Sequence, residues 1–182
     1  MLEQILSTDK TVIEFVNLHL SDSKIQIFFN IFTCFGYFSL GWIILFTIIS
    51  IRKRDRLFWL FWGTSFSAVA IINDLIIKYI VQRERPFTEM AGIILNTIQP
   101  SSFSFPSSHA AASGAAFFIF CTLKPKKGML FALFILSILV SISRIILKVH
   151  YPSDVIAGYL SGLLITLFVW KLALRFRTRD VG

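Results

Sequence analysis

Charge is what this sequence has least of. Only 15% of its 182 residues are Asp, Glu, Lys or Arg, while 55% are hydrophobic and the mean hydropathy is +0.74. A soluble domain is about 25% charged and about 45–50% apolar with glycine counted. So little polar surface excludes a soluble globular domain, and so much apolar content excludes disorder. Cysteine is also scarce: Cys34 and Cys121 both sit inside apolar runs, with no CxxC and no Cys/His cluster. That leaves no disulfide framework and no zinc site to argue for. Acidic residues number 10 against 18 Lys and Arg, for a net charge of +8 and a pI near 9.8. In a soluble protein that balance would suggest nucleic acid. In a chain this apolar it is read as a membrane topology signal, and no nucleic-acid partner is expected.

What is present is long apolar runs. A spanning helix needs about 20 mostly apolar residues. Five stretches approach or exceed that: 25–51, with no charge; 57–81, with only Asp74 and Lys78; 106–123, with only His109; 129–147, with only Arg144; and 155–174, with only Lys171. Residues 1–24 differ, mixing Leu2, Ile5, Leu6, Ile13 and Val16 with Glu3, Asp9, Lys10 and Glu14. This segment reads as an amphipathic helix lying in the membrane interface, and Thr11 and Glu14 have capping-box spacing for a helix start. There is no basic n-region ahead of a short apolar core, so a secretory signal is not expected. No repeat, low-complexity tract or long linker appears. The expectation is one all-α domain over 1–182, a polytopic membrane bundle of about five transmembrane helices plus the N-terminal interfacial helix, with an outer loop at 82–105.

The positive charge is placed unevenly. Arg52, Lys53, Arg54 and Arg56, then Lys124, Lys126 and Lys127, then Lys171, Arg175, Arg177 and Arg179 account for eleven of the 18 basic residues. With five spans these three groups fall on one side, which the positive-inside rule makes cytoplasmic. The chain is therefore expected to be a multi-pass protein of the cell (inner) membrane. Its C-terminus would be cytoplasmic, and the 82–105 loop would face the periplasm or cell exterior.

A second set of ionisable residues approaches the opposite face. Lys78 and Arg85 flank the end of the second run, His109 opens the third, Arg144 closes the fourth, and His150 and Asp154 straddle the entry to the fifth. Singly, each has a plain structural role. A lone Lys or Arg at a helix end snorkels to the headgroups, and a carboxylate in a first helical turn is favoured by the macrodipole. Together they bring three cations, two histidines and one carboxylate to one membrane face, and ionisable groups there are functional candidates. The chemistry suggested is anion handling. Lys and Arg bind phosphoryl groups, and Pro106-Ser107-Ser108-His109 reads as a helix start with free N–H groups. A histidine can serve as nucleophile or acid/base. Asp154, four residues after His150, can orient that ring as a carboxylate does in a triad. Too few carboxylates are present to cage Mg²⁺ or Ca²⁺, so a metal-independent reaction without a cofactor is expected. Asp74, one turn before Lys78, is read chiefly as its ion-pair partner, with a proton relay or headgroup contact as the other reading. Phe87, Phe103 and Phe105 suit an aromatic belt or the wall that receives a lipid tail.

Three patterns can be read together: Lys78, six residues, Arg85-Pro86; Pro106-Ser107-Ser108-His109; and Ser143-Arg144, five residues, His150, three residues, Asp154. They resemble the three-part signature of the type 2 phosphatidic acid phosphatase family, the integral-membrane lipid phosphate phosphatases. Ten fixed positions agree in order and spacing between Lys78 and Asp154. The resemblance implies that His150 attacks phosphorus to form a phosphohistidine and that Asp154 hydrogen-bonds His150. His109 would protonate the leaving oxygen and then activate water. Lys78, Arg85 and Arg144 would hold the phosphoryl oxygens, with Ser107, Ser108 and the helix-start amides. The one departure is Ser108, where the family commonly has Gly.

The substrate expected is a membrane lipid phosphate or diphosphate arriving through the bilayer, with undecaprenyl diphosphate leading. Phosphatidylglycerol phosphate, phosphatidate and lipid A phosphate are alternatives, and no obligate protein partner is evident. The rival readings are a phosphotransferase, or a phosphatase for a soluble substrate, using the same site, and a non-enzymatic anionic-lipid transporter. The topology has a direct check. A single cysteine introduced in the 87–105 loop should react with a membrane-impermeant reagent in intact cells; protection would reverse the orientation.

Overall fold

The computed structural model describes residues 1–36, 39–50, 56–95 and 97–179. They form α1 (Leu2–His19), α2 (Ser23–Gly36), α3 (Leu40–Ser50), α4 (Arg56–Ala70), a π-helical segment (Ile71–Ile77), α5 (Lys78–Val81), α6 (Pro86–Glu89), α7 (Ser108–Thr122), α8 (Lys127–Ile146) and α9 (Pro152–Arg179). The fold is all-α, with no strand among the described residues. Among the described residues, three stretches are long and apolar enough to cross a membrane: Phe58–Glu89, Lys127–Ile146 and Pro152–Arg175. Leu40–Ser50 and Ser108–Thr122 are apolar but shorter.

Two details differ from the sequence reading. The uncharged run 25–51 is carried by two helices, α2 and α3, and Ser39 between them takes a left-handed φ of +58°. A non-glycine residue in that region breaks helical continuation. The basic turn at 51–55 lies outside the described residues. Thr11 and Glu14 do not start a helix, because α1 already runs from Leu2 and the Thr11 hydroxyl donates to the Ser7 carbonyl 3.0 Å away. Back-bonding to the i−4 carbonyl is the usual fate of a threonine inside a helix.

Away from the site end, aromatic side chains fill the bundle. Trp42, Phe46, Phe61, Ile119, Phe120, Leu133 and Val140 form a buried cluster. The Phe46 ring stacks on Trp62 with centroids 4.9 Å apart, and Phe61 meets Trp170 at 4.8 Å. Such rings contribute large contact areas that dispersion rewards even where lipid competes as the surroundings.

The pair α7 and α9 packs by a different rule. In lipid the hydrophobic effect does not drive helices together, so close backbone approach through small residues does. Every residue of α7 from Ala110 to Ala116 is buried, and all are Ala, Ser or Gly. Facing them, Gly158 and Gly162 on α9 keep a small-xxx-small spacing. A Cβ on Gly158 would lie 2.5 Å from the Ser107 carbonyl oxygen. A Cβ on Gly162 would lie closer still to the Ala111 oxygen, and one on Gly114 would collide with the Tyr159 oxygen. All three obstacles are backbone atoms, which cannot swing away.

Alanine at Gly158 or Gly162 should therefore force the helices apart at a cost of about 1–3 kcal/mol. Alanine at Gly63, where nothing lies within 4 Å of the added carbon, should be neutral or stabilising. Thermal unfolding in detergent checks the ranking; equal Tm values for all three variants would contradict it.

Candidate active site

The close seam between α7 and α9 brings two sequence motifs together. The Ser107 N–H donates to the Asp154 carbonyl oxygen at 3.0 Å, joining the start of α7 to the first turn of α9. Asp154 is the third residue of α9, and its Oδ2 accepts the Tyr151 N–H at 2.9 Å. That bond is the reach-back half of a capping box, with Pro152 at the first helical position where its missing N–H costs nothing. His150 sits just ahead, in the turn that ends α8. Lys148, at φ +57°, stops that helix, and the Val149 and His150 N–H groups fold back onto the Arg144 carbonyl at 3.1 and 3.3 Å. Arg144 and His150 are thereby tied into one turn.

Lys78 and Arg85 arrive from the other side. Lys78 is the first residue after the π-helical segment, and Gln82 ends α5 in the left-handed region at φ +50°. The chain runs non-helically to Pro86, which starts α6. Arg85 is 5% exposed and almost fully committed. It donates to the carbonyls of Ser102, Phe103 and Val149 at 2.7–3.1 Å. Its Nη1 also lies 3.1 Å from His150 Nε2. A guanidinium is always a donor, so Nε2 is the ring nitrogen that carries the lone pair.

The other ring nitrogen, Nδ1, therefore carries the proton. Asp154 Oδ2 lies 3.8 Å from it, beyond hydrogen-bond range. The resemblance implied a direct bond; the structure instead puts the Ser104 hydroxyl between the two groups. Ser104 Oγ is 3.4 Å from Nδ1 and donates to Asp154 Oδ2 at 2.6 Å. The physical reason is competition. The Asp154 carboxylate already accepts from Arg83 Nη1 at 2.7 Å, from Ser104 and from the Tyr151 N–H, so it is held back from the ring.

Of the residues singled out from sequence, Lys78, Arg85, Ser108, His109, Arg144 and His150 line one cavity of about 600 Å³. Arg144 is 4% exposed and donates to the Thr33 hydroxyl of α2. Lys78 Nζ donates to Ser108 Oγ at 2.6 Å and to Asp74 Oδ1 at 2.8 Å. Asp154 is fully buried behind His150. Ser107, also expected in the phosphate set, lies at the seam between α7 and α9. It is fully buried and is not among the residues lining the cavity, and its amide is used by the Asp154 carbonyl. Its backbone amide joins the two helices. Burial, joined by the nearby charges of Arg85, Arg144 and Lys78, holds His150 well below the usual histidine range. The ring is neutral at physiological pH, with the Nε2 lone pair available beside three cations. A buried neutral imidazole next to fixed positive charge is suited to attack an anionic, electrophilic centre.

Residues 58–177 match the family described as the PAP2 superfamily. The chain belongs to the PAP2 superfamily. It is 38% identical over 133 residues to the decaprenylphosphoryl-5-phosphoribose phosphatase of Mycobacterium tuberculosis, covering 70% of this chain and 69% of that one. It is 35% identical over 123 residues to the undecaprenyl-diphosphatase of Sulfolobus acidocaldarius, covering 66% of this chain and 58% of that one. A transmembrane PAP2-type phosphatidylglycerolphosphate phosphatase from Bacillus subtilis shares the fold, with a TM-score of 0.78 at 24% identity over 94% of this chain and 87% of that one.

In this PAP2 chain, sequence reasoning missed the residues that hold the carboxylate in place. Arg83 donates through Nη1 to Asp154 and to Ser153 Oγ, both at 2.7 Å, and through Nη2 to Asp9 at 2.8 Å. Its guanidinium also lies 4.0 Å from the centre of the Tyr151 ring. Asp9, expected on the polar face of an interfacial helix, is 2% exposed and also accepts the Ser153 N–H at 3.0 Å. So α1 is docked onto the start of α9.

Removing one partner of a buried ion pair strands the other. Asp9→Ala should destabilise the protein by about 3–5 kcal/mol. Lys10 pairs with Glu89 at 2.5 Å, but both side chains are more than a third exposed, so Lys10→Ala should cost at most about 1 kcal/mol. Unfolding midpoints in detergent measure both; equal losses would remove Asp9 from this role.

Proposed function

We propose that this protein is a membrane lipid phosphatase working through a phosphohistidine on His150. The observation that carries the reading is the placement of His150: its Nε2 lies 3.1 Å from the Arg85 guanidinium, in a cavity shared with Lys78, Arg144 and His109. Membership of the PAP2 superfamily and the phosphatase names of its relatives support it.

The steps follow from the groups present. Lys78, Arg85 and Arg144, with the amides at the start of α7, hold the non-bridging oxygens of the terminal phosphoryl group. His150 Nε2 attacks phosphorus as the bond to the leaving oxygen breaks, and His109, which takes up a proton when the anionic phosphoryl group enters beside it, gives that oxygen the proton. Ser104 and Asp154 stabilise the positive charge that develops on the His150 ring. His109, now neutral, takes a proton from water. The water oxygen attacks phosphorus, the N–P bond breaks, and inorganic phosphate leaves. The cations favour the transition state because the charge on the transferring group is held by fixed donors in a site screened from water.

The apolar half of the cavity, formed by Phe66, Val69, Ala70, Ala111 and Ala112, is suited to the chain of a lipid entering between α4 and α7. The proposed substrate is an isoprenoid-linked phosphate, with undecaprenyl diphosphate and a phosphomonoester on a hydroxylated headgroup as its two leading forms. The excess of Lys and Arg in the 124–127 turn and the C-terminal tail supports a cytoplasmic C-terminus and a site at the periplasmic or outer face.

Phosphate release by the purified protein across a panel of lipid phosphates and diphosphates tests the mechanism. His150→Ala should lose about a thousandfold or more of the rate, and acid quenching of wild type should trap a phosphohistidine absent from the variant. Excess EDTA should leave wild-type activity in place. Release by His150→Ala at the wild-type rate would refute the mechanism.

A further inference from the structure

Asp74 stands inside the site with no place in the mechanism just described. It lies in the middle of the π-helical segment Ile71–Ile77, a local widening of the helix that is frequent at functional sites. Its carboxylate lines the cavity and is 37% exposed, whereas its partner Lys78 is only 6% exposed. One oxygen, Oδ1, accepts from both Lys78 Nζ and the Ser108 hydroxyl, and Lys78 donates to Ser108 in turn. The three side chains close a ring. Among the described residues, Oδ2 takes no hydrogen bond.

The position of that oxygen along the cavity decides what it meets. One turn before Asp74, Val69 and Ala70 belong to the apolar wall; one turn after it, Lys78 belongs to the phosphoryl site. A lipid whose chain follows the wall, and whose scissile phosphorus reaches His150, carries its first polar unit past Asp74. In a lipid diphosphate that unit is a second ionised phosphoryl group. In a phosphomonoester on glycerol or a sugar it is a carbon bearing a hydroxyl. A carboxylate repels the first and accepts a hydrogen bond from the second.

The charge balance agrees. Lys78, Arg85 and Arg144 supply three positive charges to the cavity, Asp74 removes one, and Asp154 is already matched by Arg83. The remainder, about two, suits a phosphomonoester, which carries about 1.5–2 negative charges at neutral pH. A diphosphate adds a further charge against Asp74.

We propose that Asp74, fixed by the Ser108 hydroxyl, is a specificity residue that selects lipid phosphomonoesters with a hydroxyl next to the scissile group over lipid diphosphates. The inference rests on the lipid phosphatase reading above and ranks the substrates within it. Ser108, where the resemblance leads one to expect Gly, thereby acquires a function: it locks the carboxylate's Oδ1 and leaves Oδ2 turned to the substrate path.

The test compares kcat/KM for lysophosphatidate, a phosphomonoester beside a free hydroxyl, with that for farnesyl diphosphate, using the purified full chain in detergent. Wild type should prefer lysophosphatidate by about tenfold or more, and Asp74→Asn should shift the ratio toward the diphosphate by about tenfold. That shift should appear mainly as a lower KM for farnesyl diphosphate. Ser108→Gly should move the ratio the same way by a smaller factor. A wild-type preference for the diphosphate overturns the proposal, and so does a ratio unchanged in Asp74→Asn. Should that variant fail to fold, inhibition of wild type decides: inorganic phosphate should inhibit at lower concentration than pyrophosphate, and the reverse order overturns the proposal. If wild type hydrolyses neither lipid, the phosphatase reading itself falls. If it hydrolyses both at an Asp74-independent ratio, only the specificity inference falls.

Discussion

The structure depends on how closely the backbone of α7 approaches that of α9. Gly114, Gly158 and Gly162 each stand where a single added carbon would strike a carbonyl of the other helix. This closeness lets the Ser107 N–H reach the Asp154 carbonyl at 3.0 Å. That bond fastens the helix start bearing Ser108 and His109 to the helix start adjoining His150. Two histidines separated by forty residues of sequence then open on one cavity. In lipid no gain from water release holds such a seam together, so shape and small side chains must. The seam is thus both a packing device and the frame of the site.

Around that frame the charges are arranged to be matched. A charged group taken out of water is stable only with partners close by. Asp154 has Arg83, Arg83 also has Asp9, and Lys78 has Asp74. The pairing of Asp154 with Arg83 has a chemical consequence. It draws the carboxylate away from His150 and leaves the Ser104 hydroxyl as the link to the ring. The pairing of Arg83 with Asp9 makes the first helix part of the support for the site. Lys148 reinforces this from the other end of α1, donating to Asn17 and Ser21 at 3.0 Å.

Much of this was legible in the residues. The shortage of charge and the long apolar runs mark a membrane helix bundle, and helices do form where those runs lie. The six cavity residues Lys78, Arg85, Ser108, His109, Arg144 and His150 belong to the patterns that carry the family resemblance. Other features were not legible. The run 25–51 has no charge or proline to divide it, and the glycines where α2 gives way to α3, Gly36 and Gly41, are common enough in spanning helices not to mark a break by themselves. Thr11 and Glu14 have the spacing of a helix start, yet the turn before them is also helical, and spacing does not reveal where a helix is already under way. Ser107 carries a signature position, but whether its amide meets a ligand or a carbonyl depends on what lies across the seam.

The sequence by itself determined the environment, the element type and the list of reactive groups, because hydropathy, periodicity and residue chemistry are local properties. It did not determine the partners. Asp9 and Arg83 are 74 residues apart, Arg144 and Thr33 are 111 apart, and Asp74 and Ser108 are 34 apart. Beyond the i, i+4 pair of Asp74 and Lys78, which carboxylate takes which cation follows from the crossing of helices, since a charged group out of water accepts whichever partner packing brings within a few ångströms. The tertiary structure therefore decided three things: that α1 is docked on the site, that a serine mediates between His150 and Asp154, and that Asp74 stands along the route to the phosphoryl pocket.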